Sequence, residues 1–315
     1  MGKRLEQTLA VLNGLVGDYL SRAGNALATD MTLCRGGVSM LLERIELQRL
    51  YPDARARVVV LVHGLMCNEH SWQFADGSDY GSKLERDQSF SAAYVRYNTG
   101  RAIADNGQQL AAILGSFVAA YPREIEELLL IGYSMGGLVI RSACHSAALE
   151  DQAWLRSVKR IIYVGTPHMG VPAERLGHAL TRLLQTIPDP YTRLVADVGN
   201  LRSSGIQDLG RADLRHQDRE VARSAWGLRD ARHPLPLLPG VEHHLIAGAM
   251  LGDPRIAFLL GDSIVPVSSA IFTDATVDEL LPKQRTRVIH KLGHLALAHH
   301  PDVYDAIRQI CEVPR

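Results

Sequence analysis

Glu127 to Cys144 reads ELLLIGYSMGGLVIRSAC, and the rest of the chain is best understood outward from it. Leu128, Leu129, Leu130 and Ile131 form the short unbroken apolar run of a strand buried on both faces, and from Met135 onward the apolar spacing turns helical. Between them lies Gly132-Tyr133-Ser134-Met135-Gly136, a G-x-S-x-G at a strand-to-helix junction. A sharp turn there must hold one hydroxyl clear of the sheet, and glycines two residues to either side remove β-carbons that would collide. Ser134 is therefore the candidate nucleophile. The bare pattern recurs by chance, so its weight comes from the flanking strand and helix, a third glycine at Gly137, and a His63-Gly64 pair that closes an earlier strand-like run.

Composition sets the outer bounds. The 315 residues are 46% hydrophobic, enough to fill a large core in one or two domains. Lys plus Arg balances Asp plus Glu at 34 each, so no net field draws nucleic acid or an anionic membrane. The expected partner is a small or uncharged molecule. Cys34, Cys67, Cys144 and Cys311 lie far apart without a C-x-x-C, which predicts free thiols in a reducing, cytoplasmic setting. At the start, Lys3 and Arg4 precede an apolar stretch that Glu6, Asn13, Gly14 and Asp18 interrupt, unlike a signal peptide. No run reaches the roughly 18 apolar residues of a membrane span. Leu5, Leu9, Leu12, Val16 and Leu20 predict an amphipathic helix whose apolar face packs on the domain or on a second copy of the chain.

Taken in order, residues 1–56 read as a helical extension, with a short strand at Met31 to Leu33 and a helix over Leu41 to Leu50. Residues 57–170 open the main domain. Arg57 to Val62, RVVVLV, is a β-branched strand ending at His63-Gly64-Leu65. Ala93 to Tyr97, Leu128 to Ile131 and Arg160 to Val164 are further strands and Gly107 to Ala120 a crossover helix, an alternation that predicts a mostly parallel sheet flanked by helices. Residues 171–240 carry many arginines and prolines and no convincing strand, and are too long for a plain connection; a helical cap over the site is the expected role. Within it Leu176, Leu180, Leu183, Leu184 and Ile187 recur at three- and four-residue spacings.

Residues 241–315 complete the domain, with strands at His244 to Ile246 and Thr286 to Ile289 and a helix from Pro301 to Ile310. Asp262, in the glycine-flanked loop GDSIVP, is the candidate acid, with Asp253, Asp274 and Asp278 as rivals. An acid in that role accepts the imidazole Nδ1–H and fixes the tautomer. His294 is the candidate base, with His290, His299 and His300 as rivals; His168, in GTPHMG, precedes any acid and reads as a loop-packing or substrate-wall histidine. The histidine spacing lacks H-E-x-x-H, so no metal is expected, and no cofactor.

Five motifs in order, VHGL at Val62 to Leu65, GYSMGG at Gly132 to Gly137, GTPHMG at Gly165 to Gly170, GDSIVP at Gly261 to Pro266 and GHLALAHHPDVY at Gly293 to Tyr304, resemble the lipase and esterase branch of the α/β-hydrolases, closest to bacterial GPI inositol-deacylase-like lipases. The resemblance implies an α/β-hydrolase fold with a helical cap, and Ser134, Asp262 and His294 as nucleophile, acid and base. It implies backbone N–H groups of Leu65 and Met135 as the oxyanion hole. His63, Gly64, Tyr133, His168, Met169, Leu180 and Leu184 are expected to contact substrate. Tyr133 and Met169 depart from the histidines many lipases carry there, which bears on substrate preference. The expected activity is hydrolysis of a small-molecule or lipid carboxylic ester through an acyl-enzyme; an acyltransferase or lactonase would use the same triad, and a non-catalytic lipid-binding or scaffolding protein would use only the fold. A homodimer through the N-terminal helix or the cap is compatible with this reading.

Overall fold

The β-branched run at Arg57–Val62 forms β3, near the middle of one eight-stranded sheet; the computed structural model describes residues 3–172, 175–178, 180, 203–218, 235–251, 261–271 and 285–312. The other strands are β1 (Thr32–Arg35), β2 (Val38–Ser39), β4 (Phe90–Arg96), β5 (Glu127–Tyr133), β6 (Val158–Val164), β7 (Glu242–Ala249) and β8 (Thr286–His290), in the spatial order β2-β1-β4-β3-β5-β6-β7-β8. From β4 to β8 all pairings are parallel; β1 runs antiparallel to both its neighbours.

Alternation along the strands feeds two separate cores. In β3 and β5, Val58, Val60, Val62, Leu128 and Leu130 face one side, where they meet α4 (Ile103–Ala120) and α5 (Met135–Leu149). Val59, Leu61, Leu129 and Ile131 face the other, against α3 (Tyr80–Gln88) and the last helix, Pro301–Cys311. Every one of these strand residues is fully buried, which is why the runs read as continuous rather than alternating.

Strands β5 and β7 start earlier than apolar patterning indicates, on the charged residues Glu127 and Glu242. Arg57 Nε donates to Glu127 Oε2 at 2.7 Å, Arg160 Nη1 to Glu127 Oε1 at 2.5 Å, and Arg160 Nε to Glu242 Oε2 at 3.2 Å. This ladder runs across β3, β5, β6 and β7 at their amino ends, leaving the carboxyl ends for other work. Helix α3 carries little hydrophobic signal in YGSKLERDQ; a capping box between Asp79 and Ser82 starts it, and Tyr80 and Leu84 bury its inner face.

Helices α1 (Lys3–Arg22) and α2 (Arg44–Leu50) form as expected, but the buried face of α1 differs. Val11, Leu15, Val16 and Leu20 are buried, whereas Leu5 is exposed and Leu9 and Leu12 are half-buried. The contact with the sheet's loops is made through small residues, Gly14 against Met66 and Thr99 and Gly17 against Asn98, whose Nδ2 donates to Gly17 O at 2.8 Å, while Asn13 Nδ2 donates to Leu27 O at 2.8 Å in the segment after the helix. In the segment 171–240, the described residues include a helix at Ser204–Arg211 and no strand. Leu183, Leu184 and Ile187, and the rival acids Asp253, Asp274 and Asp278, lie outside the described residues.

Candidate active site

Parallel register brings the carboxyl ends of the central strands to one edge. Val62 pairs with Gly132, and Tyr133 with Val164, so His63, Ser134 and Gly165 leave the sheet side by side. Ser134 takes φ 53° and ψ −124°, a strained conformation for a residue with a β-carbon, and caps the start of α5. Its amide donates to Val164 O at 2.8 Å, which ties the turn to β6. Gly136 is required by close approach, since a β-carbon there would fall 2.1 Å from Val62 O and 2.5 Å from His63 O.

Two loops from distant sequence reach this turn. His294 Nε2 lies 2.9 Å from Ser134 Oγ, and His294 Nδ1 lies 2.6 Å from Asp262 Oδ2. Because a carboxylate only accepts, Nδ1 carries the proton and Nε2 is left to accept from the serine hydroxyl. The other carboxylate oxygen of Asp262 accepts from the amides of Ile264 at 3.1 Å and Val265 at 2.8 Å. The His294 amide donates to Asp262 O at 3.0 Å, and Tyr133 Oη donates to His294 O at 3.1 Å. All three side chains are buried: Ser134 is 7% exposed, His294 4% and Asp262 1%. The rival histidines lie elsewhere. His290 Nδ1 donates to Leu251 O and His299 Nδ1 to Ser71 O, both at exposed positions, and His300 caps the final helix.

Gly64 abuts Ser134 directly; a β-carbon on it would lie 3.0 Å from Ser134 Cβ. Other residues expected at the substrate are buried and packed against neighbouring rings and backbone. His63 is fully buried and stacked on Tyr97 at 4.5 Å, with Nδ1 donating to Gly64 O at 3.0 Å. Tyr133 is buried between Trp72 and His294, where it braces the histidine loop. His168 is buried edge-on to Tyr163, 3.3 Å from Arg141 Nη1, which places it in loop packing. The His63 and Tyr133 rings hold backbone carbonyls in place around the turn, a demand invisible in sequence spacing. Met169 is exposed on the loop after β6, and Leu180 is half-buried against the core; Leu184 lies outside the described residues. Buried Arg141, whose Nη2 donates to Leu235 O at 2.5 Å, carries no sequence signal beyond its place in a helical run.

Three other buried histidines, His63, His168 and His243, are held neutral. Burial pushes His63 down to about 4 and His243 down to about 4, and burial with the nearby Arg141 charge holds His168 well below its ordinary value. Once unfolded, each would titrate near the usual value of about 6.5. Between about pH 6.5 and 4 the unfolded chain therefore binds protons that the folded protein refuses, so stability is complete above pH 7 and declines as pH falls. Each histidine contributes a slope of about 1.4 kcal/mol per pH unit in that window. Urea unfolding at pH 7, 6 and 5 should show a proton uptake of two to three on unfolding near pH 5; pH-independent stability would contradict the burial of these rings.

A two-loop relay onto a strained serine at the carboxyl edge of a parallel sheet, with helices on both faces, is a recognisable architecture. The solved structure of Bacillus licheniformis lipase BlEst2 in mature form is similar to it with a TM-score of 0.52, at 18% identity, over 83% of this chain and 94% of that one. The chain has the α/β-hydrolase fold. Residues 53–205, a little under half the length of the chain, match the family described as "Putative serine esterase (DUF676)". The matched stretch contains Leu65, Ser134 and Met135 and stops short of Asp262 and His294. A Pyrococcus furiosus esterase, Pf2001, is also similar, with a TM-score of 0.48 and 10% identity over 81% of this chain and 82% of that one. No curated protein matches the chain. Among the described residues no helix is long and apolar enough to cross a membrane.

Proposed function

We propose that this α/β-hydrolase cleaves carboxylic esters through a covalent acyl-enzyme, with Ser134 as nucleophile, His294 as base and Asp262 as the group that orients and stabilises the imidazolium. The observation that carries the proposal is the hydrogen-bond chain from Ser134 Oγ through His294 to Asp262. Ser134 Oγ bonds to the ester carbonyl carbon as its proton passes to His294 Nε2, and the carbonyl electron pair moves onto oxygen. Collapse breaks the bond to the alcohol oxygen, which takes the proton from Nε2. Water then repeats the sequence on the acyl-enzyme and releases the acid.

The oxyanion is received by the amides of Leu65 and Met135. Two features support this: Gly64 abuts Ser134, and Met135 is the first residue of α5, so its N–H has no acceptor within the helix and lies at the positive end of the dipole. An apolar acyl group is supported by Met169, Met250, Leu251 and Leu295, exposed side chains that follow β6, β7 and β8 at the same sheet edge. In this proposal residues 171–240 form the cap and carry the acyl wall, and the free thiols favour a cytoplasmic setting. An acyltransferase or lactonase would share every step up to the acyl-enzyme.

The test is a series of p-nitrophenyl esters of increasing chain length, with and without a serine-directed phosphonate. Burst release of p-nitrophenol, blocked by the phosphonate, is expected. Absence of turnover across the series, with Ser134 unlabelled, would favour the non-catalytic reading.

A further inference from the structure

The residue after Leu65 is held in a conformation it would not choose. Met66 has φ +59°, while the Cys67 amide donates to Gly64 O at 3.2 Å, so Gly64 to Cys67 form a turn with a left-handed third residue. That position of a type II turn ordinarily takes glycine or asparagine. Here a fully buried methionine occupies it. Something outside the turn must prevent it from relaxing, and the contacts that do so come from β4's following loop and from α1.

Met66 N–H donates to Thr99 Oγ1 at 3.1 Å, and Met66 O accepts from Gln7 Nε2 at 3.3 Å. The Met66 side chain rests in a notch at Gly14: a β-carbon there would lie 2.3 Å from Met66 Cγ, 3.2 Å from Met66 Cα and 3.2 Å from Thr99 Oγ1. One turn further on, Glu6 Oε2 accepts from His70 Nε2 at 3.0 Å. Helix α1 is itself fixed from its other side, since Ser203 Oγ donates to Gly14 O at 2.7 Å and Ser204 Oγ to Asp18 Oδ2 at 3.0 Å.

We infer that α1 is a positioning element for the reaction, in which Gly14 and Gln7 clamp the strained Met66 turn and thereby hold the Leu65 amide at the developing oxyanion. The inference rests on the proposed role of that amide. Gln7 and Gly14 touch no reacting atom; they act through Met66. A loosened turn would weaken a contact strongest in the transition state, so kcat should fall while KM holds.

The decisive variant is Gly14→Ala. Alanine favours the helix over glycine, so any loss reports the contact with Met66 rather than helix propensity. In the full-length protein with p-nitrophenyl esters, kcat is expected to drop about ten- to a hundredfold with KM within about threefold, a fraction of the effect of deleting an oxyanion donor. Adding Met66→Gly to Gly14→Ala removes the colliding side chain and supplies a residue at ease with positive φ; kcat should recover to within a few-fold of wild type. Gln7→Ala should lower kcat several-fold without moving the melting temperature, and it answers the question if Gly14→Ala does not fold. Unchanged kcat in a folded Gly14→Ala protein, no recovery in the double variant, or unchanged kcat in Gln7→Ala when Gly14→Ala fails to fold would overturn the inference. Wild-type protein that is inactive and unlabelled at Ser134 would instead overturn the functional reading, and this inference with it.

Discussion

Ser134→Ala is expected to remove esterase turnover by about a millionfold while leaving the melting temperature within a few degrees of wild type. The size follows from geometry: without Oγ the His294 relay has no atom to deprotonate, and residues acting as one unit lose nearly their whole effect when any member goes. The fold should tolerate the change because the Ser134 backbone, not its hydroxyl, is what the structure holds, through the amide bond to Val164 O. Alanine accepts the same strained turn at the same cost as serine. Peptide mapping after phosphonate treatment should find the adduct on Ser134 alone in wild type and nowhere in the variant. Turnover by the alanine variant, or an adduct elsewhere, would move the chemistry to another residue.

Asp262→Asn should lower kcat by about ten-thousandfold with a much smaller change in KM. The amide can still satisfy one side of the loop, but its NH₂ group turned toward His294 meets an Nδ1–H that also donates, so the imidazole is driven to the tautomer with its proton on Nε2. Nε2 then faces the serine hydroxyl as a donor and cannot take its proton. The contrast is as telling as the loss. His290→Ala and His299→Ala should stay within about tenfold of wild type, because both rings bond to carbonyls at exposed positions far from the relay. An Asp262→Asn protein within tenfold of wild type would assign the acid elsewhere.

Local chemistry made the Ser134 turn legible. A glycine pattern that must avoid backbone at 2 to 3 Å, placed between an all-apolar run and a helical period, admits few readings, and Gly132, Ser134 and Gly136 could be understood without their neighbours. The parallel sheet was legible for a similar reason: strands buried on both faces have no polar side to vary. Asp262 and His294 could be narrowed to a few loop positions, but their pairing spans 32 residues and their reach to Ser134 spans 160, distances over which no periodicity operates. What only the tertiary structure decided are roles set by close neighbours. Asn13, Gly14 and Asp18 interrupt an apolar stripe in the sequence, yet Gly14 seats Met66, Asp18 accepts from Ser204 and Asn13 ties down the segment that follows α1, because a helix laid against backbone needs small and hydrogen-bonding groups as well as large apolar ones. Likewise His63 and Tyr133 are polar residues in site motifs whose rings brace backbone carbonyls around the turn, since a buried carbonyl without a partner costs more than a buried ring that supplies one.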